Sequence, residues 1–204
     1  MKSRWIASAV AAAAVFATLP AAAQDTGNWI VRARALYLDS ANKDNTGLDL
    51  SVNNKTFPEV DITYFFSPNL AAELILTYPQ KHDLRAGGTD IGSLKHLPPT
   101  LSLQYHFTGF GGFGPYLGAG LNYTRLSSVN FDPAVVAALD PSVDKNSFGL
   151  ALGAGVDVPM GGGWLLNLDV KKVQIRTDVS SFGTKVGTFK VDPTLWSIGF
   201  GKRF

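Results

Sequence analysis

Apolar and polar side chains alternate along eight segments of this 204-residue chain, each of about ten residues and bounded by turn residues. A period of two is typical of β-strands, because successive side chains point to opposite faces. Counted over the segments, one face is almost wholly Leu, Val, Ala and aromatic, while charged residues gather on the other. The segments are 29–39, 58–66, 69–78, 96–107, 115–124, 147–158, 164–172 and 194–204.

The connections between these segments alternate between short and long. The short ones are 67–69, 108–114 and 159–163, and the long, polar ones are about 40–56, 79–95, 125–146 and 176–190. Outer-membrane barrels have short periplasmic turns and long extracellular loops, and their strands need about ten residues to cross the bilayer. The pattern therefore predicts an all-β fold, an eight-stranded antiparallel transmembrane β-barrel. In the third long connection, Asp132 and Pro133 predict the start of a short helix.

The periodicity alone leaves open which face lies inside the barrel. A soluble lipocalin-like barrel would turn its charges outward and fill its interior with apolar side chains. The sorted connections, an N-terminal export signal and the final Phe204 favour the membrane barrel, in which the charged face lines the lumen.

The N-terminus predicts export. Lys2 and Arg4 precede a small, apolar run over 5–19, and Ala21–Ala23 offers a cleavage site before Gln24. The run is shorter than the roughly 20 residues of a spanning helix, which is the retained-anchor alternative. We expect a cleaved signal peptide over 1–23, one barrel domain over 24–204, and a location in the outer membrane of a Gram-negative bacterium.

The composition argues against several other classes of function. The chain has no cysteine, which removes disulfides and Cys-ligated metals, and no basic stripe that would favour nucleic acid. Its histidines are His82, His96 and His106, without HExxH or GxSxG spacing. Ser102 and His106 share a strand face but lie about 13 Å apart. We therefore expect no metal, no cofactor and no catalytic residue.

Five stretches resemble the outer membrane protein W and alkane-import family of small outer-membrane β-barrels. They are 69–82, 96–107, 115–124, 167–172 and 191–204, and together they follow the family's order along most of the chain. The resemblance implies a narrow barrel with a largely apolar channel, and a role in the uptake of small hydrophobic compounds. It also implies that outer-membrane lipid, lipopolysaccharide and small hydrophobic solutes are the partners.

The C-terminal strand resembles the signal that the outer-membrane assembly machinery reads in such barrels. The residues that fit this signal are Trp196, Ile198, Phe200 and Phe204. Lys202 departs from it, because an aromatic residue is usual two places before the end, although the lysine stem could snorkel to the interface.

The alternation predicts which side chains line the lumen. These residues are Arg32, Arg34, Glu59, Asp61, Glu73, Ile75, Gln104, His106, Leu165, Asp169 and Lys171. The arginines could pair with acids on the neighbouring strands, either as a polar constriction that selects solutes or as an ionic network that fills a narrow barrel. The family resemblance implies apolar inward residues that narrow the channel; Ile75 fits this, whereas Lys171 does not.

Two further features are candidates for the solute path. Leu97, Pro98 and Pro99 place two consecutive prolines in a strand, which predicts either a lateral exit between strands or a bulge at the extracellular rim. In the third long connection, Leu126, Phe131, Val135 and Val136 are apolar candidates for solute capture.

We therefore expect a barrel that gives small hydrophobic molecules a passive path across the outer membrane. Two alternatives remain at this point. One is a non-conducting structural or adhesive barrel whose loops bind a partner, and the other is a barrel enzyme that acts on outer-membrane lipid.

Overall fold

The computed structural model describes residues 27–110 and 112–204, so the predicted signal peptide lies outside the described residues. Eight long strands form the barrel: β1 (Trp29–Asp39), β4 (Lys55–Phe65), β5 (Leu70–Leu76), β8 (Thr100–His106), β9 (Gly114–Phe131), β11 (Asn146–Gly161), β12 (Trp164–Val173) and β15 (Thr194–Arg203). Each pairs with its neighbours in an antiparallel ladder. Pairing of β11 with β9 closes the circle. The prediction of an eight-stranded antiparallel barrel is confirmed.

The alternation of residue types becomes an alternation of exposure. Along β1 every second residue from Ile30 is buried, while Val31, Ala33, Ala35 and Tyr37 are exposed on the outside. Large apolar side chains cover the outer surface of the whole barrel; Leu121, for example, is 67% exposed. A surface of this kind needs hydrocarbon rather than water around it.

Aromatic side chains mark both ends of the outer surface. Near the short turns Trp29 packs at a tilt against Tyr64, with ring centroids 4.7 Å apart, and Tyr64 packs edge-on against Phe66 at 5.2 Å. Towards the long connections, Tyr123 and Phe148 lie 4.8 Å apart. Such girdles sit at the two membrane interfaces of outer-membrane barrels. We call the end with the long connections the upper end.

The long connections fold into a cap of short elements above the barrel. These elements are β2 (Lys43–Asp44), β3 (Leu50–Val52), β6 (Gln80–Ala86), β7 (Thr89–Leu97), α1 (Pro133–Leu139), β10 (Pro141–Val143), β13 (Arg176–Ser181) and β14 (Thr184–Lys190). Strands β3, β6 and β7 extend the barrel sheet upward, while β10, β13, β14 and β2 form a second sheet. Among the described residues, no helix has the length and apolar character needed to cross a bilayer.

The cap has its own apolar core, which the sequence analysis did not predict. Its buried members are Leu50, Val52, Leu84, Leu94, Leu126, Val179 and Phe189. The segments that supply them are too short or too polar to show a clear period, so they were predicted only as loops. The helix begins where expected, with Asp132 as its N-cap and Pro133 at its first position, although the Asp132 side chain makes no capping hydrogen bond.

One seam in the barrel wall lacks a regular ladder. Ile75 lies opposite Thr100 and Gln80 lies opposite His96, so four residues (76–79) face three (97–99). On the other side of the same strand the register is continuous, with Leu97 opposite Arg125 and Thr100 opposite Asn122. The extra residue therefore lies in 76–79, and not in Leu97–Pro99, where the sequence predicted a rim bulge. We call 76–79 and 97–99 the seam.

Candidate functional site

The middle of the lumen is occupied by buried charges, beginning with Arg32 on β1. Its guanidinium is fully buried and lies 2.7 Å from Asp61 Oδ1 and 2.6 Å from Asp157 Oδ2. It also donates to Asp157 Oδ1 at 3.1 Å and to Thr63 Oγ1 at 2.8 Å. The fork geometry of arginine suits this bidentate contact with a carboxylate. Arg32 thus ties β1 to β4 and, across the lumen, to β11.

The remaining cations extend this contact towards the upper end. Arg34 lies 2.6 Å from Glu59, 3.2 Å from Asp61 and 3.4 Å from Glu73. Lys171 lies 2.6 Å from Asp169 and 3.4 Å from Glu73. We call the whole set the ionic network; it comprises Arg32, Arg34, Lys171, Glu59, Asp61, Glu73, Asp157 and Asp169. Buried charges are stable only when paired in this way.

Two uncharged residues complete the ionic network, and the sequence analysis did not single them out. Tyr116 donates its hydroxyl to Asp169 at 2.8 Å, and Asn167 donates to Tyr116 Oη at 3.0 Å and to Asp157 at 2.8 Å. Tyr116 fits because it lies against a glycine: a Cβ on Gly155 would come within 2.3 Å of its ring. The sequence contained two signals for these residues: Asn167 lies on the polar face of its segment, and the neighbouring segment, which contains Asp157, is rich in glycine.

The other predicted lumen residues are also buried, but they lie at different levels. Ile75 lies directly opposite Asp61 of the ionic network and two residues above Glu73 on β5, whereas Leu165 packs below the network with Ile30, Phe65 and Ala71. Near the lower end, His106 Nε2 is 3.0 Å from Gln104 Oε1. Within the described residues no hydrogen bond joins His106 to Ser102, and no group of three metal-ligating side chains could hold an ion.

An apolar chamber lies directly above the ionic network. Its apolar lining consists of Leu36, Leu38, Phe57, Ile75, Val173, Ile175 and Leu195. Glu59 and Lys171 of the ionic network close it below, while Thr77 and Pro98 of the seam form part of its wall. The free space is about 20 Å³, room for about one water. A solute would therefore have to displace these side chains to enter.

A second cavity of about 20 Å³ lies in the cap. Leu94, Leu126, Phe189 and Val191 line it with His82, His96 and Arg176, and it shares Ile175 with the chamber. An apolar interior thus continues from the cap down to the ionic network.

Side chains hold the segment 76–81 to β4, on the side away from the seam. Thr77 Oγ1 donates to Pro58 O at 3.1 Å, and Lys55 Nζ donates to Lys81 O at 2.9 Å. On the intact side, Tyr123 N donates to Pro99 O at 3.1 Å. Proline has no N–H, so Pro98 and Pro99 can donate to neither neighbour.

The loop candidates for solute capture occupy different environments. Leu126 is buried in the cap core, and Phe131 packs partly against that core. Val135 is half-buried on α1, and Val136 is 44% exposed. Leu126 therefore reaches a solute only from inside the cap cavity.

The C-terminal residues are on the outer surface of the barrel. Trp196, Ile198, Phe200 and Phe204 are all more than half exposed. Phe204 exchanges backbone hydrogen bonds with Trp29 at 2.9 and 3.2 Å, so the final residue is anchored to the first strand. Lys202 Nζ lies 5.2 Å from the Trp164 ring centroid and 5.8 Å from that of Phe204, which are cation–π distances.

Comparison with known proteins settles the family. The profile of the OmpW family matches residues 25–204. The chain belongs to the OmpW family. It is 42% identical over 183 residues to the uncharacterized outer-membrane protein y4mB of Sinorhizobium fredii, covering 85% of this chain and 77% of that protein. It is 32% identical over 210 residues to outer membrane protein W of Vibrio cholerae, covering 96% and 97%.

A solved structure supports the same assignment. The crystal structure of the outer membrane protein OprG from Pseudomonas aeruginosa superposes with a TM-score of 0.75 at 28% identity, covering 88% of this chain and 96% of that one. This OmpW-family chain is thus an outer-membrane barrel of a Gram-negative bacterium, and its apolar outer surface is the face in contact with lipid. The upper end, with its cap, is extracellular.

Proposed function

We propose that this OmpW-family barrel gives small hydrophobic molecules a passive path from the cell surface into the outer membrane. The observation that carries the proposal is the apolar chamber, which the ionic network closes below and the seam borders on one side. The family resemblance, which implies uptake of hydrophobic compounds, points the same way.

The ionic network makes a straight path through the barrel unfavourable for an apolar solute. Arg32, Glu73 and Asp61 are fully buried and each contacts opposite charges. Pushing an apolar molecule between them would separate buried ion pairs without offering new partners, at a cost of about 3–5 kcal/mol for each pair broken. The solute would instead turn sideways above the network.

The seam offers the sideways route at low cost. Between 76–79 and 97–99 no regular ladder has to be broken, because Pro98 and Pro99 have no N–H and the register shifts by one residue. The Thr77–Pro58 hydrogen bond at 3.1 Å joins 76–79 to β4 on the side away from the seam, so the seam can open without breaking it.

A structural or adhesive barrel remains the second candidate, because the chamber and the cap cavity each hold only about one water. The cap also exposes apolar residues, among them Phe182 at 66%. These side chains would suit contact with an external partner rather than solute transfer.

The experiment that tests the proposal measures the rate at which the fluorophore 1-N-phenylnaphthylamine enters cells with and without the protein, at matched expression and lipopolysaccharide content. Ile75→Trp fills the chamber beside the seam, and Leu101→Trp adds the same ring on the lipid face as the matched control. Faster entry that Ile75→Trp abolishes and Leu101→Trp preserves supports the proposal. The proposal is overturned if entry is equal in cells with and without the protein while heat-dependent gel mobility shows that the barrel is folded. That outcome favours the structural or adhesive role.

A further inference from the structure

The cap cavity contains polar atoms that have no hydrogen-bond partner among the described residues. His82 and His96 stack with ring centroids 4.5 Å apart and an interplanar angle of 19°, and both rings line the cavity. Their Nε2 atoms are buried without a hydrogen-bond partner in the described part of the chain, as is Oε1 of Gln80, which lies directly opposite His96. Buried unsatisfied groups are uncommon in native proteins, since each costs about 1–3 kcal/mol.

The contacts made by the other ends of these side chains fix what they can bind. His82 Nδ1 lies 2.9 Å from Asn53 O, a carbonyl that can only accept, so Nδ1 carries the proton and Nε2 of the neutral ring is an acceptor. Gln80 Nε2 donates to Tyr78 O at 3.1 Å, which leaves Oε1 as a second acceptor. His96 Nε2 can serve as the donor in one tautomer of the neutral ring.

The surroundings keep both imidazoles neutral. The cap lies above the membrane girdle, where outward side chains such as Lys81 and Lys95 are charged and exposed. Burial lowers the pKa of His82, with Lys55 adding to the effect, while Asp83 and the Asn53 hydrogen bond oppose it. Burial, His82 and Lys55 lower the pKa of His96 to about 3. Arg176, which also lines the cavity, is paired with Asp192 at 2.9 Å.

We propose that the His82–His96 pair recognises the hydroxyl group of a small alcohol or phenol, which donates to His82 Nε2 and accepts from His96 Nε2. A hydroxyl is the simple group that both donates and accepts through one oxygen. A carboxylate or an ether offers no proton to His82 Nε2, and an ammonium would lie close to the positive charge of Lys55. The cavity has the volume of about one water, which fits the hydroxyl, while the apolar part would displace side chains towards Ile175 and the chamber.

This inference rests on the proposed function, because it names the class of hydrophobic solute that the cap would select. A hydrocarbon would leave the two histidine nitrogens in the cavity unsatisfied, whereas a hydroxylated molecule of the same size would satisfy both.

The test is a titration of the purified protein in lipid nanodiscs, followed by ¹⁹F NMR line width, with 4-fluorophenol, 4-fluoroanisole and 4-fluorotoluene as probes. Binding to protein-free nanodiscs is subtracted. We expect 4-fluorophenol to bind about tenfold more tightly than the other two probes, equivalent to about 1.4 kcal/mol. Because 4-fluoroanisole accepts but cannot donate, this comparison tests the proton given to His82 without any mutation. Equal affinities for the three probes overturn the inference and leave the nitrogens as a water site only.

Variants then test whether the preference for 4-fluorophenol comes from His82 and His96. His82→Phe combined with His96→Phe keeps the ring stack and removes the nitrogens, and should reduce the preference to less than twofold. His106→Phe, below the chamber and outside both cavities, is the matched control and should retain it. A preference that survives the double change overturns the inference. Absence of the preference in the unmodified protein, with 1-N-phenylnaphthylamine entry intact, refutes only the inference, whereas absence of that entry refutes the proposed function.

Discussion

Replacing Arg32 with Met tests whether the ionic network is dry. The side chain is fully buried and neutralises two carboxylates, with contacts of 2.7 Å to Asp61 and 2.6 Å to Asp157. After the replacement Asp61 still has Arg34 at 3.2 Å, whereas Asp157 loses its ion-pair partner and keeps the hydrogen bond from Asn167 and the attraction of Arg203. Removing one partner of a buried ion pair costs about 3–5 kcal/mol, so we expect Arg32→Met to lower the free energy of unfolding by about that amount.

The assay is reversible urea unfolding in lipid vesicles, followed by tryptophan fluorescence. Arg176→Met is the control, because the Arg176–Asp192 pair lies in the cap with the arginine side chain 47% exposed. An exposed pair contributes about 0–1 kcal/mol. Adding Asp157→Asn to Arg32→Met should recover part of the loss, since it removes the charge that has lost its ion-pair partner. A loss below about 1 kcal/mol in Arg32→Met, similar to the control, would refute the reasoning and indicate a water-filled lumen.

Further predictions concern the seam, the C-terminus and the cap. Replacing Pro98 and Pro99 with Ala restores one N–H donor towards each neighbouring strand, and the donor that faces 76–79 should help to close the seam, so 1-N-phenylnaphthylamine entry should slow several-fold in whole cells while the barrel stays folded. Phe204→Ser should lower the assembled fraction of the protein, measured as heat-modifiable protein in isolated outer membranes. The loss should be larger than that caused by Phe110→Ser, a change at an exposed turn residue. Burial in the folded cap lowers the pKa of His82 and His96 below the ordinary value of 6.5, and that of His96 to about 3. Protonation of these histidines therefore favours the unfolded cap. The cap amides should be fully protected from hydrogen exchange above pH 6.5 and should lose protection as the pH drops towards 3. The loss should be smaller when His82 and His96 are both replaced with Phe.

The barrel could be predicted from the sequence because the alternation that defines each strand is a local pattern. The first strand was predicted over 29–39 and has the bounds Trp29–Asp39, since alternation alone defines it. Pairing of Arg32 with Asp61 was foreseeable because strands adjacent in sequence are adjacent in the barrel, where these two residues lie directly opposite each other.

Contacts across the lumen could not be predicted in this way. Asp157 lies 125 positions from Arg32 and meets it only because the barrel closes and the long guanidinium spans the interior. Tyr116 enters the ionic network because Gly155 leaves space for its ring, which requires the register between β9 and β11. The cap escaped prediction for a related reason: Leu50, Val52 and Phe189 come from short segments far apart in the sequence, and only the folded arrangement shows that they meet.

The level of the seam gives bilayer thickness a direct influence on this protein. The seam includes Tyr78, whose ring is 56% exposed on the outer surface, while Lys81 a few residues above is charged and outward. The seam therefore lies at the boundary between acyl chains and sugars. Membranes adapt to mismatch by thinning or thickening at a cost of fractions of a kcal/mol per Å. In a thick bilayer the seam would face acyl chains that accept an apolar solute, whereas in a thin one it would face hydrated head groups that reject it. Lipid acyl length would then set the rate of release, with no change in the protein itself.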